Sequence, residues 1–271
     1  MLGHSISPSH LKTEDEHRRD LCTVGLWIHQ RNFVASTDGN LSIRLDRRRI
    51  LSSPTAISKG MMTPDDLVIT DMEGRKISGN RNASSELAMH LLVYRRRPDV
   101  NAVCHAHPPV ATGYAAAGLP LNKALVSELV LALGCIPVAR YGTPGTPELS
   151  QALEPLIPSY DAILMANHGV VTYGADLLTA FFRLETVEHF AQVSLVTELL
   201  GKQVLLSSHD VEKLLAARAR YGATTAAQVG PECPVTSDRA AVSQAGDRIS
   251  VTREELEALI EEAVRSDRAR R

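Results

Sequence analysis

Three kinds of chemistry crowd into one stretch of this 271-residue chain: the hydroxyls of Ser84 and Ser85, the carboxylate of Glu86 directly behind them, and the imidazoles of His105 and His107 one residue apart. The run Leu87-Ala-Met-His90-Leu-Leu-Val-Tyr94 is helical in pattern, and Arg95 to Arg97 with Pro98 supplies a cationic last turn and a stop. At its start Ser85 can cap free backbone N–H groups, and Glu86 then falls in the first turn, where the helix dipole favours negative charge. Such an end also binds anions. Asn101 to His107 reads as a short strand closed by Pro108, in which residues two apart share a face ~6.6 Å along the chain. His105 and His107 therefore point the same way. At that spacing two imidazoles can converge on one Zn²⁺ at ~2.0–2.1 Å each; the alternative is a pair of hydrogen-bonded or solvated histidines at a strand end.

His168 adds a third imidazole. It stands where the apolar run Ala162 to Ala166 ends at Asn167-His168-Gly169 and a second strand resumes, so its ring is presented at a turn beside glycine with little steric cover. Three neutral imidazoles leave one position of a tetrahedral site open, whereas structural zinc sites close all four. With Glu86 able to enter or leave that position, the set has the composition of a catalytic metal centre. His90, on the helix, reads as a supporting or packing residue.

These groups need elements to position them. Thr13-Glu-Asp-Glu16 opens a helix through Leu21, Val24, Leu26 and Trp27, whose role is packing. Ser36 to Leu45 reads as a turn into an alternating strand, in which Asn40 and Ser42 either hold an anion beside a glycine backbone or belong to a plain Asp-Gly-Asn turn. Ile50 to Ala56 is a second strand ending in a hydroxyl-rich loop, and Leu67 to Asp71 forms another hairpin with Lys76 and Ile77. Loops at Asn40, Thr55 and Ser84-Ser85 thus close the same kind of β element, and together they would make a phosphate pocket. Asp176 to Leu200 is a long core helix stopped by Gly201, on which Glu185, Glu188 and His189 read as structural.

The hydrophobic fraction of 44% gives ample core for one sizeable domain with an appendage. A net charge of −2 gives no reason to expect nucleic acid or membrane binding. Residues 1–20 are polar and charged, and neither a signal peptide nor a membrane span is visible. Cys22, Cys104, Cys135 and Cys233 show no Cys-x-x-Cys pairing, which suggests reduced thiols in a cytosol.

Gly39-Asn40-Leu-Ser-Ile-Arg, Ser53-Pro-Thr-Ala56, Ser84-Ser-Glu86, His105-Ala-His107, Tyr141-Gly-Thr-Pro-Gly-Thr-Pro-Glu-Leu and Asn167-His168-Gly169 together resemble the zinc-dependent class II aldolase/adducin family, and within it the fuculose-1-phosphate aldolase branch. The likeness runs from about residue 15 to 222. It implies an α/β fold: a three-layer α/β/α domain with a mainly antiparallel central sheet, usually in a fourfold-symmetric homotetramer with active sites at subunit boundaries. It further implies one Zn²⁺ per subunit on His105, His107 and His168, with Glu86 as resting ligand and acid/base. By the same likeness Asn40, Thr55, Ala56, Ser84 and Ser85 match the positions that hold a substrate phosphate. Ala56 stands where the family has glycine, and a conformation needing positive φ would be strained there. Glu128 stands where the branch carries a tyrosine donor from a neighbouring subunit; it takes over that proton, or is an interface or surface acid. Tyr221 matches a tyrosine that helps close the site, or is a core aromatic after a helix over 211–220.

The reaction implied is cleavage of a deoxyketose 1-phosphate, of the L-fuculose or L-rhamnulose type, to dihydroxyacetone phosphate and lactaldehyde. Sister activities on the same site are a 5-deoxyribulose 1-phosphate aldolase, a sugar-acid phosphate decarboxylase and a dehydratase; a non-catalytic adducin-like module has no use for an open metal position. The domain is expected over 13–222. After it, 223–250 has the composition of a linker, and 251–271 reads as an amphipathic helix opened by Thr252-Arg-Glu-Glu255. A lone helix this short needs a partner surface. It resembles the encapsulation peptides of bacterial microcompartment cargo, which dock on shell proteins; otherwise it packs on its own assembly.

Overall fold

A computed structural model describes residues 12–221 of the chain. The expected linker over 223–250 and helix over 251–271 lie outside the described residues, as does the side chain of Tyr221.

Eight strands form one sheet: β1 (Asn40–Arg44), β2 (Ile50–Ser52), β3 (Val68–Thr70), β4 (Lys76–Ser78), β5 (Ala102–Ala106), β6 (Val138–Ala139), β7 (Ala162–Met165) and β8 (Gly169–Gly174). Their order across the sheet is β4-β3-β2-β1-β5-β8-β7-β6, and every neighbouring pair is antiparallel except β6 with β7. The helices are α1 (Glu14–Gln30), α2 (Leu87–Arg96), α3 (Pro109–Ala116), α4 (Ser127–Ala132), α5 (Pro147–Leu153), α6 (Leu177–Leu199) and α7 (Ser208–Ala217). The expected α/β/α layering follows from the side-chain alternation of the central strands. Ala102, Cys104 and Ala106 of β5 pack with Leu21, Ile28, Ala111 and Leu184 from α1, α3 and α6, while Val103 packs with Met89, Val93 and Leu153 from α2 and α5. A strand covered on both faces reads as a continuous apolar run, which is how β5, β7 and β8 look in the sequence. Each aliphatic side chain removed from water contributes about 1.5–3 kcal/mol, and the central strands are buried along their whole length.

The capping box expected at Thr13 and Glu16 opens α1. Its buried face is Leu21, Val24 and Ile28, so Leu26, expected in the core, lies 40% exposed on the opposite side. Glu188 is structural, as expected: it is buried in α6 and accepts from Val110 N and Ala111 N at the start of α3, at 3.2 and 2.9 Å. On the other face of the sheet, the buried Asp161 carboxylate lies 2.8 Å from both Arg97 and Arg183. Cys22 and Cys104 are free, but Cys135 is disulfide-bonded. The expectation of four reduced thiols fails there because short Cys-x-x-Cys spacing is no guide to pairs made across sequence distance. No helix among the described residues is long and apolar enough to cross a membrane.

Candidate metal centre

The site is built where β1, β5 and β8 lie side by side. Asn40 is paired with His105 across β1 and β5, and His105 with Val171 across β5 and β8. His107 stands just past the end of β5. His168 sits in the three-residue tip between Met165 of β7 and Gly169 of β8, which are paired, and Asn167 takes the positive φ of 55° that lets so short a tip close. Two glycines make this crowding possible. A Cβ on Gly39, at φ +70°, would fall 2.8 Å from the His105 carbonyl oxygen, and one on Gly169 would fall 2.5 Å from Cδ2 of His107.

The three rings form a nearly equilateral triangle, with centroids 4.9 Å (His105–His107), 4.8 Å (His105–His168) and 5.1 Å (His107–His168) apart. Their ligating nitrogens lie within 4.8 Å of one another. Outer partners fix two of the rings. His105 Nδ1 is 2.9 Å from the Val170 carbonyl oxygen, which can only accept, so Nδ1 carries hydrogen and the Nε2 lone pair faces inward. His107 Nδ1 lies 3.4 Å from Asp38 Oδ2, which orients that ring the same way. Burial, and then the neighbouring His105 and His168, push His107 down to about 4, so it is neutral and ready to bind at pH 7.

Glu86 occupies the remaining corner. Its Oε2 is 3.3 Å from His105 Nε2, its Oε1 is 3.1 Å from His168 Nε2, and the two nearest ring nitrogens, of His105 and His107, are 3.1 Å apart. Ligands held at ~2.0–2.1 Å in a tetrahedron are ~3.3 Å from one another. The spacing therefore fits a zinc-sized divalent ion. Glu86 Oε1 is buried with no directed hydrogen bond, an orphaned acceptor that a cation would satisfy. Burial works to raise the Glu86 carboxyl, but in the metal-free site the His105 and His168 rings, when they carry a proton toward it, outweigh burial and hold it well below the usual carboxylate range.

The start of α2 departs from expectation. Glu86 is itself the residue flanking the helix, with its side chain turned to the histidines, and it is Ser84 rather than Ser85 whose hydroxyl takes a backbone hydrogen, from Glu86 N at 3.2 Å. Ser85 is exposed and backs onto Gly145, so the Gly-Thr-Pro-Gly-Thr segment borders the same mouth. The three polar loops do meet. Thr55 N donates to Asn82 O at 3.0 Å beside the Pro54–Ala83 bridge, and Leu41 N donates to Ser53 Oγ at 3.0 Å. Thr55 and Ala56 are exposed there, and Ala56 adopts φ 56°, the left-handed conformation that its glycine counterpart would take freely.

Asn40 is engaged more deeply than a phosphate loop requires. Its Nδ2 donates to Glu86 Oε2 at 2.7 Å and its Oδ1 lies 2.5 Å from His90 Nε2. His90 is thus the supporting residue expected, and its other nitrogen reaches Ser42 Oγ at 2.7 Å, which in turn touches Tyr94 OH at 2.7 Å. Tyr94 and Asp38 escaped the sequence reading, and Ser42, read as an anion holder or a turn residue, is instead buried with its hydroxyl against His90 and Tyr94. The available signal was spacing: Ser42 shares a strand face with Asn40, and Tyr94 lies one turn beyond His90. Glu128 is exposed in the first turn of α4, and among the described residues nothing joins it to the histidines. Tyr221 ends a short 3₁₀ turn, Arg218–Tyr221.

The chain matches the model of the Class II Aldolase and Adducin N-terminal domain over residues 19–195. It is 32% identical over 210 residues to the 5-deoxy-D-ribulose 1-phosphate aldolase of Bacillus thuringiensis serovar kurstaki, covering 76% of this chain and 97% of that one. To the 3-oxo-tetronate 4-phosphate decarboxylase of Haemophilus influenzae it is 33% identical over 174 residues, covering 63% and 82%. Among solved structures an L-fuculose 1-phosphate aldolase superposes with a TM-score of 0.70 at 30% identity, covering 77% of this chain and 98% of that one. Three converging imidazoles with a carboxylate beside them and these likenesses agree: the chain belongs to the class II aldolase/adducin family, as one of its metal-dependent lyases.

Proposed function

We propose that this enzyme is a zinc aldolase cleaving a deoxyketose 1-phosphate, of the L-fuculose or L-rhamnulose 1-phosphate type, to dihydroxyacetone phosphate and lactaldehyde. The observation that carries the reading is Glu86 at 3.1–3.3 Å from two of three converging imidazoles, where an incoming sugar oxygen would displace it. Zinc, when bound by His105, His107 and His168, supplies a Lewis acid for the ketose carbonyl. The chain's own residues do the rest. Glu86, released from the centre as a carboxylate, would take up the proton that the hydroxyl loses as its carbon becomes the aldehyde and the carbon–carbon bond breaks, and return it to the carbon next to the carbonyl. The hydroxyls of Thr55, Ser84 and Ser85 and the backbone N–H of Ala56 hold the phosphate at the start of α2, where the helix dipole favours the anion. Asn40 anchors Glu86 from the strand side. In a homotetramer with sites at its boundaries, Glu128 would reach the aldehyde end of a neighbour's substrate.

A second reading uses the same residues on a different carbon skeleton. It is supported by the likeness to a 5-deoxy-D-ribulose 1-phosphate aldolase and a 3-oxo-tetronate 4-phosphate decarboxylase. A panel of ketose 1-phosphates and sugar-acid phosphates separates the readings, with dihydroxyacetone phosphate and carbon dioxide measured in parallel. We expect one zinc per subunit by elemental analysis, dihydroxyacetone phosphate from a deoxyketose 1-phosphate, and loss of turnover in Glu86→Gln. Absence of metal, or undiminished cleavage by Glu86→Gln, overturns the mechanism; carbon dioxide as the product selects the second reading.

A further inference from the structure

Glu86 can serve as acid/base only if its carboxylate is held at the open corner of the centre, and the His105 and His168 rings cannot do this once their inward lone pairs bind a cation. The remaining tether is Asn40, whose Nδ2 donates to Oε2 at 2.7 Å. An amide is symmetric in shape and can turn over, which would bring its oxygen against the carboxylate. What prevents this lies at the other end.

A carboxylate only accepts, so Asn40 must present its NH₂ to Glu86 and its Oδ1 to His90 Nε2, 2.5 Å away. His90 Nε2 must therefore carry hydrogen. In the neutral ring Nδ1 then accepts, and its neighbour at 2.7 Å, Ser42 Oγ, donates to it. The Ser42 oxygen is left to accept from Tyr94 OH at 2.7 Å. Every hydrogen thus points one way, from Tyr94 through Ser42, His90 and Asn40 to Glu86. Ser42, His90, Tyr94 and Asn40 are all buried, so water does not substitute for a missing member. Burial, and then the nearby His105, push His90 down to about 3, in keeping with the neutral ring. Arg44 lies over the Tyr94 ring at 4.9 Å and steadies the far end. A residue with only a packing role needs none of this; a leucine or methionine would fill the same space.

We infer that His90 is a positioning residue: by holding the Asn40 amide in one orientation through a directed chain anchored on Ser42 and Tyr94, it keeps Glu86 at the open corner of the metal centre without touching substrate. The inference rests on the proposed role of Glu86.

The test compares full-length His90→Leu, His90→Gln, Ser42→Ala and Tyr94→Phe with wild type. It measures kcat and KM for the best sugar phosphate of the panel, and Zn²⁺ affinity by competition with a chromophoric chelator. His90→Leu should lower kcat and Zn²⁺ affinity each by ~10–100-fold with KM little changed. His90→Gln, whose amide N–H still reaches Asn40, should recover most of both. Ser42→Ala and Tyr94→Phe should give smaller losses, in that order. Wild-type kcat and Zn²⁺ affinity in His90→Leu or in Ser42→Ala overturn the inference. So does a His90→Gln as impaired as His90→Leu, since volume alone would then matter. Should His90→Leu fail to fold, the Gln and Ser42→Ala proteins decide. A wild-type protein that binds zinc but cleaves no substrate removes the proposed reaction, while the order of Zn²⁺ affinities still judges His90.

Discussion

Replacing Gly169 by alanine should unseat a ligand without touching a ligand. The new Cβ would stand 2.5 Å from His107 Cδ2, 3.3 Å from His107 Nε2 and 2.6 Å from the Ala106 carbonyl oxygen. Carbon atoms settle at ~3.5–4.0 Å, so the ring must retreat by about 1 Å. The carbonyl cannot yield in its place, because Ala106 is paired with Val170 in the middle of the sheet. Zinc ligation tolerates only about 0.2 Å, so a ring displaced this far no longer binds. Overpacking of this kind costs about 1–3 kcal/mol, which for a domain of this size lowers Tm by roughly 2–12 °C. Zinc affinity should fall by at least ~100-fold, the upper end of what a displaced supporting partner costs, since here a ligand itself moves. Elemental analysis after dialysis, chelator competition, and calorimetry with and without added zinc measure these effects. A Gly169→Ala protein that keeps one zinc per subunit at wild-type affinity would refute the geometry on which the centre is built.

Three further outcomes are expected. Ala56→Gly relieves a left-handed L-residue, worth roughly 1–2 kcal/mol, against about 0.5–1 kcal/mol of added chain entropy, a net gain of up to about 1.5 kcal/mol, so Tm should rise by up to about 6 °C; a fall in Tm contradicts the strain. The stability of metal-free protein should drop on acidification. His90 and His107 shift from 6.5 to about 3 and about 4, so the unfolded chain takes up protons that the folded one refuses. The stabilisation is complete above pH 6.5 and is lost as pH falls toward 4 and then 3; a urea midpoint flat across that window counts against it. Asp161→Asn leaves two arginines without their shared buried carboxylate and should cost about 3–5 kcal/mol, read as a lower urea midpoint; an unchanged midpoint is the contrary result.

The metal centre could be seen in the sequence because strand spacing makes His105 and His107 neighbours, and because Asn167-His168-Gly169 is a turn that leaves a ring bare. Glu86 was visible too, though for another reason than the one that holds: it was placed in a helix's first turn, and it flanks the helix with its carboxylate on the histidines. Spacing puts Ser42 beside Asn40 on one strand face and Tyr94 one turn beyond His90, but the joining of the two pairs was out of reach, because β1 and α2 meet through packing that no local pattern encodes. The same holds for Cys135, whose bonded state has no local signature. Leu26 failed more simply, since α1 buries one stripe and periodicity set at Leu21 and Val24 leads on to Ile28. The role proposed for Glu128 depends on a neighbouring subunit, which a single chain carries no record of.

The tip that bears His168 has a consequence for how the centre fills and empties. Only three residues separate the paired Met165 and Gly169, and one of them is locked in a left-handed conformation, so the tip has no slack with which to swing aside. The exposed residues Thr55, Ala56 and Ser85, with Asp38 beside the partly exposed His107, border the centre, and the sugar of the proposed reaction would approach over the first three. Where ion and sugar use the same approach, a seated sugar would stand between the ion and solvent, and exchange of the metal would slow until the product leaves.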